Sequence, residues 1–142
     1  EESIGSLKMA LSLNPKLSDS HARIASALIA LKQPEEALAA AQQERNALVR
    51  LPVVAIAEKK VGNDAAADNA MSELKRIYGD AGLYQQAQVL ARWGRSDEAM
   101  AVLARAKEFG DSGLTYAYID PALDDLRSRE DFNQLLKALG FL

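Results

Sequence analysis

Apolar positions along this 142-residue chain recur at three- and four-residue intervals between short polar or glycine breaks, the period of helices with one buried face. Ile4, Leu7, Ala10 and Leu11 define the first such face, and Leu13-Asn14-Pro15 closes it, since Pro soon after an apolar run reads as a stop. Ser18 or Asp19 can cap the next helix, whose inward stripe is Ile24, Ala25, Leu28 and Leu31. Pro34 falls in the first turn of the following helix, where its missing N–H costs little, and Glu35 and Glu36 favour the positive end of the dipole. The pattern carries that helix through Ala37, Leu38 and Ala41 towards Leu48. Pro52 then starts another, with Val54, Ala55 and Val61 inward and Gly62 as its end. Asp64 caps a helix bearing Ala67, Met71, Leu74 and Ile77 that stops at Gly79. A helix from Asp80 to Trp93 and one from Ser96 to Phe109 follow, with Ser96 as N-cap and Gly94 and Gly110 as stops. Asp120-Pro121 then places a cap before a Pro, Ser128 to Asp131 has capping-box spacing, and Phe132, Leu135, Leu136 and Leu139 form a last stripe up to Gly140.

Three of the breaks share one grammar. A bulky apolar residue closes one helix, a short break follows, and a small Ala sits just inside the next: Leu31-Lys32-Gln33-Pro34-Glu35-Glu36-Ala37, Val61-Gly62-Asn63-Asp64-Ala65-Ala66-Ala67 and Trp93-Gly94-Arg95-Ser96-Asp97-Glu98-Ala99. The alanines recur at intervals of 30 and 32 residues, near the period of a two-helix repeat. Stepping back one period from Glu35 and Glu36 reaches Glu1 and Glu2, so the chain is expected to begin inside a repeat. With Leu-Asn-Pro at 13–15, Pro-Glu-Glu-Ala-Leu at 34–38 and Gly-Arg-Ser-Asp-Glu-Ala at 94–99, the first 110 residues or so resemble tetratricopeptide repeats. That resemblance implies an all-α fold, a right-handed α-solenoid of antiparallel helix pairs. Residues 1–15 would be the second helix of a partial repeat, 18–49, 50–79 and 80–111 whole repeats, and 112–142 capping helices, all in one domain. The stretch from Tyr118 to Phe141 resembles the closing helices of tetratricopeptide regions in bacterial signalling proteins, which follow cyclase or winged-helix domains. It implies that the chain belongs to a larger protein, with a joined N-terminal domain as one partner.

Composition agrees with helices. Nearly half the residues are apolar and Pro is scarce, and the chain is long enough to bury a real core. Net charge is −3, and the stretch from Asp120 to Asp131 alone holds five acids against two arginines, so the excess positive charge of a nucleic-acid binder is missing. The chain has no Cys, which removes disulfides and zinc-cysteine sites and fits a cytoplasmic setting. The longest apolar run, Val53 to Ala57, is too short to span a bilayer. His21 is the single histidine and falls at a position that large apolar residues occupy in tetratricopeptide repeats, so packing is expected of it. No nucleophile elbow, phosphate-cradling loop or metal helix is present, and the acidic cluster lacks a calcium loop's alternation, so neither catalysis, cofactor nor metal is expected.

The tetratricopeptide register implies a concave groove lined by Arg23 and Ser26, by Ile56, Lys59 and Lys60, and by Tyr84, Gln85, Gln88 and Arg92. Arginine and tyrosine are good anchors, the amides can bond an extended backbone and the lysines add steering, so a protein or peptide ligand of acidic character is the expected partner. The same residues also serve structure: Lys59 and Lys60 suit a helix C-terminus, and the glutamines are ordinary surface helix formers. Trp93, in line with Leu31 and Val61, is expected to pack inside, and Tyr116 and Tyr118 between the last repeat and the cap. The alternative to an adaptor is a spacer or homo-oligomerising element that uses the stripe from Phe132 to Leu142.

Overall fold

The computed structural model describes residues 2–142, with Glu1 and the side chain of Glu2 outside the described residues. The position that the period assigns to Glu1 is therefore not described. Among the described residues the structure is helical and holds no strand. The α-helices are α1 (Glu2–Leu13), α2 (Ser20–Ala30), α3 (Pro34–Ala41), α4 (Ala47–Lys60), α5 (Asp64–Tyr78), α6 (Leu83–Arg92), α7 (Ser96–Phe109) and α8 (Glu130–Ala138). Three 3-10 turns, Gly79–Gly82, Ser112–Tyr116 and Pro121–Leu126, join the later ones. Among the described residues no helix is long and apolar enough to cross a membrane. The chain forms two compact units, Glu1–Ala70 and Met71–Leu142, whose boundary falls within α5.

The three joints have the same backbone. Leu31, Val61 and Trp93 are the last right-handed residues, and Lys32, Gly62 and Gly94 follow in the left-handed region at φ 61°, 85° and 77°. The next N–H reaches back over the end of the helix in each case: Gln33 to the Leu28 carbonyl, Asn63 to Glu58 and Arg95 to Leu90, all at 2.9 Å. This is the six-to-one bond of a Schellman ending, which satisfies a carbonyl the helix would otherwise strand. A single residue then leads into the following helix, and Ala37, Ala67 and Ala99 are each 0% exposed. The alanines that mark the pattern in sequence are thus all fully buried.

That joint corrects several local expectations. Pro34, Asp64 and Ser96 are all first helical residues, because the residue before each is the cap; Asp64 and Ser96 are not caps. Leu31 and Val61 sit at the rim, with Leu31 44% exposed, and the equivalent Trp93 is half-buried. Ile77, in the last turn of α5, is also exposed. Neither Ser18 nor Asp19 caps α2: Asp19 has φ 62°, and a left-handed residue cannot aim its carboxylate at the helix as an extended N-cap does. The helix from Pro34 does not run to Leu48 but ends at Ala41, and Pro52 does not start the next. That helix starts at Ala47 because Asn46 caps it, accepting from the Leu48 N–H at 3.1 Å, and Pro52 lies buried inside it.

In the first unit α1 packs on α2, α2 on α3 and α4, and α3 on α4, around Ile24, Ala25, Leu28, Ala55 and Ile56. In the second unit α6 packs on α7 and on all three 3-10 turns, and α8 packs on α7. Its interior is built on Leu74, Leu83, Val89, Leu103, Leu123, Leu126 and Phe132. Asp120 caps the turn at Pro121 as its sequence implies, accepting from the Ala122 N–H at 2.9 Å, but the element is 3-10 rather than α. No Ser128 capping box forms: Arg129 is the extended N-cap of α8, and its guanidinium pairs with Asp131 and Asp97. Tyr116 and Tyr118 are exposed rather than packed inside.

Candidate functional site

The first unit carries five of the register residues on two neighbouring helices, α2 and α4. Arg23 and Ser26 are exposed one turn apart on α2, and the Ser26 hydroxyl donates to the Ala22 carbonyl at 2.9 Å. Lys59 and Lys60 are exposed in the last turn of α4, where the helix dipole favours cations, and Lys59 Nζ lies 3.0 Å from Asp64. Ile56, one turn before Lys60, points into the core. With Lys59 paired to Asp64, the Arg23 guanidinium and the Lys60 ammonium are the cations these helices offer an anionic, hydrogen-bond-accepting ligand.

The same unit buries a residue the sequence pattern did not single out. Glu44 is buried, and its carboxylate accepts from the N–H groups of Ala22, in the first turn of α2, and of Asn46, just ahead of α4. Its own carbonyl accepts from Arg50 Nη1 at 2.8 Å. Glu44 therefore fixes the start of α2 against the start of α4, supplying the cap that Asp19 does not. The Asn46 cap was the local signal that a loop, and not a helix, holds Glu44.

In the second unit the register residues of α6 meet the chain's own later turn. Tyr84 is buried; its hydroxyl donates to Asp120 Oδ2 at 2.6 Å and its N–H to Asp111 Oδ2 at 3.0 Å. Gln88 Nε2 donates to the same Asp120 oxygen at 2.7 Å. Burial, then the Asp120 charge and its hydrogen bond, push the Tyr84 phenol far above its ordinary value. The Arg127 guanidinium donates to the Tyr118 and Asp120 carbonyls at 2.8 and 2.9 Å, holding the turn that carries this carboxylate. The polar ends of Tyr84 and Gln88 are thus occupied by Asp120. Gln85 and Arg92 are half-buried, and Gln85 Oε1 is buried without a hydrogen-bond partner.

An open cleft of about 450 Å³ lies beside α6 and α7. Met71, Leu90 and Val102 give it an apolar floor, and its rim carries Lys75, Arg95 paired with Glu98, and Arg105 paired with Asp80. Those arginines are already neutralised by their acids, so the cleft offers less net charge to a ligand than the α2–α4 face.

The structure brings Arg23 together with Ser26, and Tyr84 with Gln88. The nine register residues are divided between the two units, five in the first and four in the second. Comparison with protein-family models, curated proteins and solved structures finds no match.

Proposed function

We propose that this chain is a non-enzymatic protein-interaction module of the tetratricopeptide type, a right-handed α-solenoid that takes an acidic peptide segment on the face carried by α2 and α4. The observation that supports the reading most is the repetition of the joint: three helix ends with a left-handed residue at the same place, the same six-to-one hydrogen bond and, just inside the next helix, a fully buried alanine. A unit that repeats is one that stacks, and stacked helix hairpins give a long surface on which successive first helices can each touch a ligand. Arg23 and Lys60 supply the charge there, and Ser26 the smaller polar group. The resemblance of the closing stretch supports a place in a larger signalling protein, where the ligand could equally be a segment of a joined domain.

Selection of a displayed random-peptide library on the immobilised chain tests this. Enriched peptides are expected to be acidic, and Arg23→Glu combined with Lys60→Glu is expected to weaken them about tenfold or more with the helical circular dichroism unchanged. Enrichment without acidic bias, or affinity indifferent to both substitutions, would overturn it.

A further inference from the structure

Arg23 stands where helix electrostatics disfavours a cation. It closes the first turn of α2, at the positive end of the helix dipole, and that turn holds no acid. The negative charge comes from another element. Glu44, buried and 22 positions from Ala22, accepts from the Ala22 N–H at 3.3 Å, at the residue immediately before Arg23. The carboxylate is held in turn. The Glu44 N–H donates to the Ala41 carbonyl at 3.0 Å, its carbonyl accepts from Arg50 Nη1 at 2.8 Å, and its other carboxylate oxygen accepts from the Asn46 N–H at 3.1 Å. Asn46 also reaches α2's leading residue, donating from Nδ2 to Asp19 Oδ1 at 3.3 Å. The start of α2 is therefore fastened to the loop ahead of α4 by two side chains of that loop.

An extended Asp19 would cap α2 locally, without the burial of a charge. The arrangement present does more, because it ties the turn that carries Arg23 to a second element. We propose that Glu44 is the positioning residue of the peptide face: it holds the first turn of α2 in place, so that the exposed Arg23 guanidinium is fixed for an acidic group of the ligand. The proposal rests on the peptide reading for its ligand and on the hydrogen bonds of Glu44 for its geometry. Glu44 is buried and acts through Arg23 rather than on the peptide. Its reach is local. Lys60 is the last residue of the 14-residue α4, about 20 Å from the start that Asn46 caps, so it keeps its place when the first turn of α2 loosens. Loss of the Glu44 carboxylate should therefore silence one anchor and spare the other.

Amide hydrogen exchange and a double-mutant cycle on the full chain test this. Glu44→Gln keeps the size of the side chain and removes its charge. In that variant the Ala22 and Arg23 amides are expected to exchange about tenfold faster or more, and the Lys59 and Lys60 amides at the wild-type rate. Glu44→Ala should widen the difference, and Glu44→Gln carries the test if the alanine variant does not fold. The cycle uses one acidic peptide selected on the wild-type chain. Arg23→Ala is expected to weaken its binding about tenfold in the wild type but only about twofold in the Glu44→Gln background, where the guanidinium has already lost its place. Lys60→Ala should cost the same factor in both backgrounds. A role of Glu44 confined to stability would leave the Arg23 factor unchanged as well. Unaltered exchange at Ala22 and Arg23, or an Arg23 factor equal in the two backgrounds, would overturn the proposal. A selection that yields no acidic peptide removes the peptide reading and this proposal with it, and that failure shows in the wild-type chain before any Glu44 variant is compared.

Discussion

Lys32 occupies a left-handed position, φ 61°, where the other two joints have glycine. An L-residue there is strained by about 1–2 kcal/mol relative to the right-handed region. Replacing Lys32 with glycine relieves that strain but enlarges the freedom of the unfolded chain, worth about 0.5–1 kcal/mol in the opposite direction. The net expectation is a stabilisation of about 0.5–1 kcal/mol. The Lys32 side chain is exposed, so its loss disturbs no packing. The reverse change is equally defined: a Cβ on Gly62 or Gly94 would meet nothing within 4 Å, so Gly62→Ala and Gly94→Ala carry a purely backbone penalty, about 1 kcal/mol. Urea unfolding followed by far-ultraviolet circular dichroism resolves these differences as midpoint shifts of about 0.3–0.6 M. Lys32→Gly should raise the midpoint and both glycine variants lower it. A Lys32→Gly chain less stable than wild type, with Gly62→Ala unchanged, would show that the left-handed turn is not the common element of the joints.

Other consequences follow from the buried polar contacts. Glu44→Ala removes the acceptor of the Ala22 and Asn46 N–H groups and should destabilise the chain by about 1–3 kcal/mol, with Glu44→Gln less costly, both read by urea unfolding. Gly113→Ala would place a Cβ 2.6 Å from Tyr84 Cγ, an overpacked contact expected to lower stability by about 1–3 kcal/mol. Because the Tyr84 phenol titrates far above its ordinary value of 10.0 in the folded chain, its contribution is complete below pH 10 and is lost as pH rises past it, since only the unfolded phenol then releases its proton. Tyr84→Phe should therefore flatten the fall in stability between pH 9.5 and 11.5, measured by urea midpoints across that range.

Much of the architecture was readable because its punctuation is local. Gly94, Gly110 and Pro34 fix helix ends through backbone geometry alone, and the structure ends or starts helices at those places. Reading failed where a residue without a strong local preference did the same work. Lys32 takes a glycine's conformation, and the alanine-rich run after Pro34 contains no stop, so the end of α3 at Ala41 had no marker. Pro52 looked like a helix start because the Asn46 cap, five residues before Leu51, was passed over. At the candidate site the register identified Tyr84 and Gln88 as neighbours on one face of α6, as periodicity can. Their common partner, Asp120, lies 36 residues beyond Tyr84, a tertiary contact that no spacing rule announces. Asp120 was legible as the cap of its own turn, but not as the carboxylate that anchors that turn on α6.

The proposed function rests on the three joints sharing one structure, and scalar couplings across hydrogen bonds read that structure without intermediaries. In a uniformly labelled sample, a coupling should pass from the Leu28 carbonyl carbon to the Gln33 nitrogen, from Glu58 to Asn63 and from Leu90 to Arg95, at similar strength, since the three bonds have the same 2.9 Å length. Three such couplings are the expected result. Couplings from Gln33, Asn63 and Arg95 to carbonyls four residues back, as in continuous helix, or a coupling at only one of the three, would contradict the repeat and the function built on it.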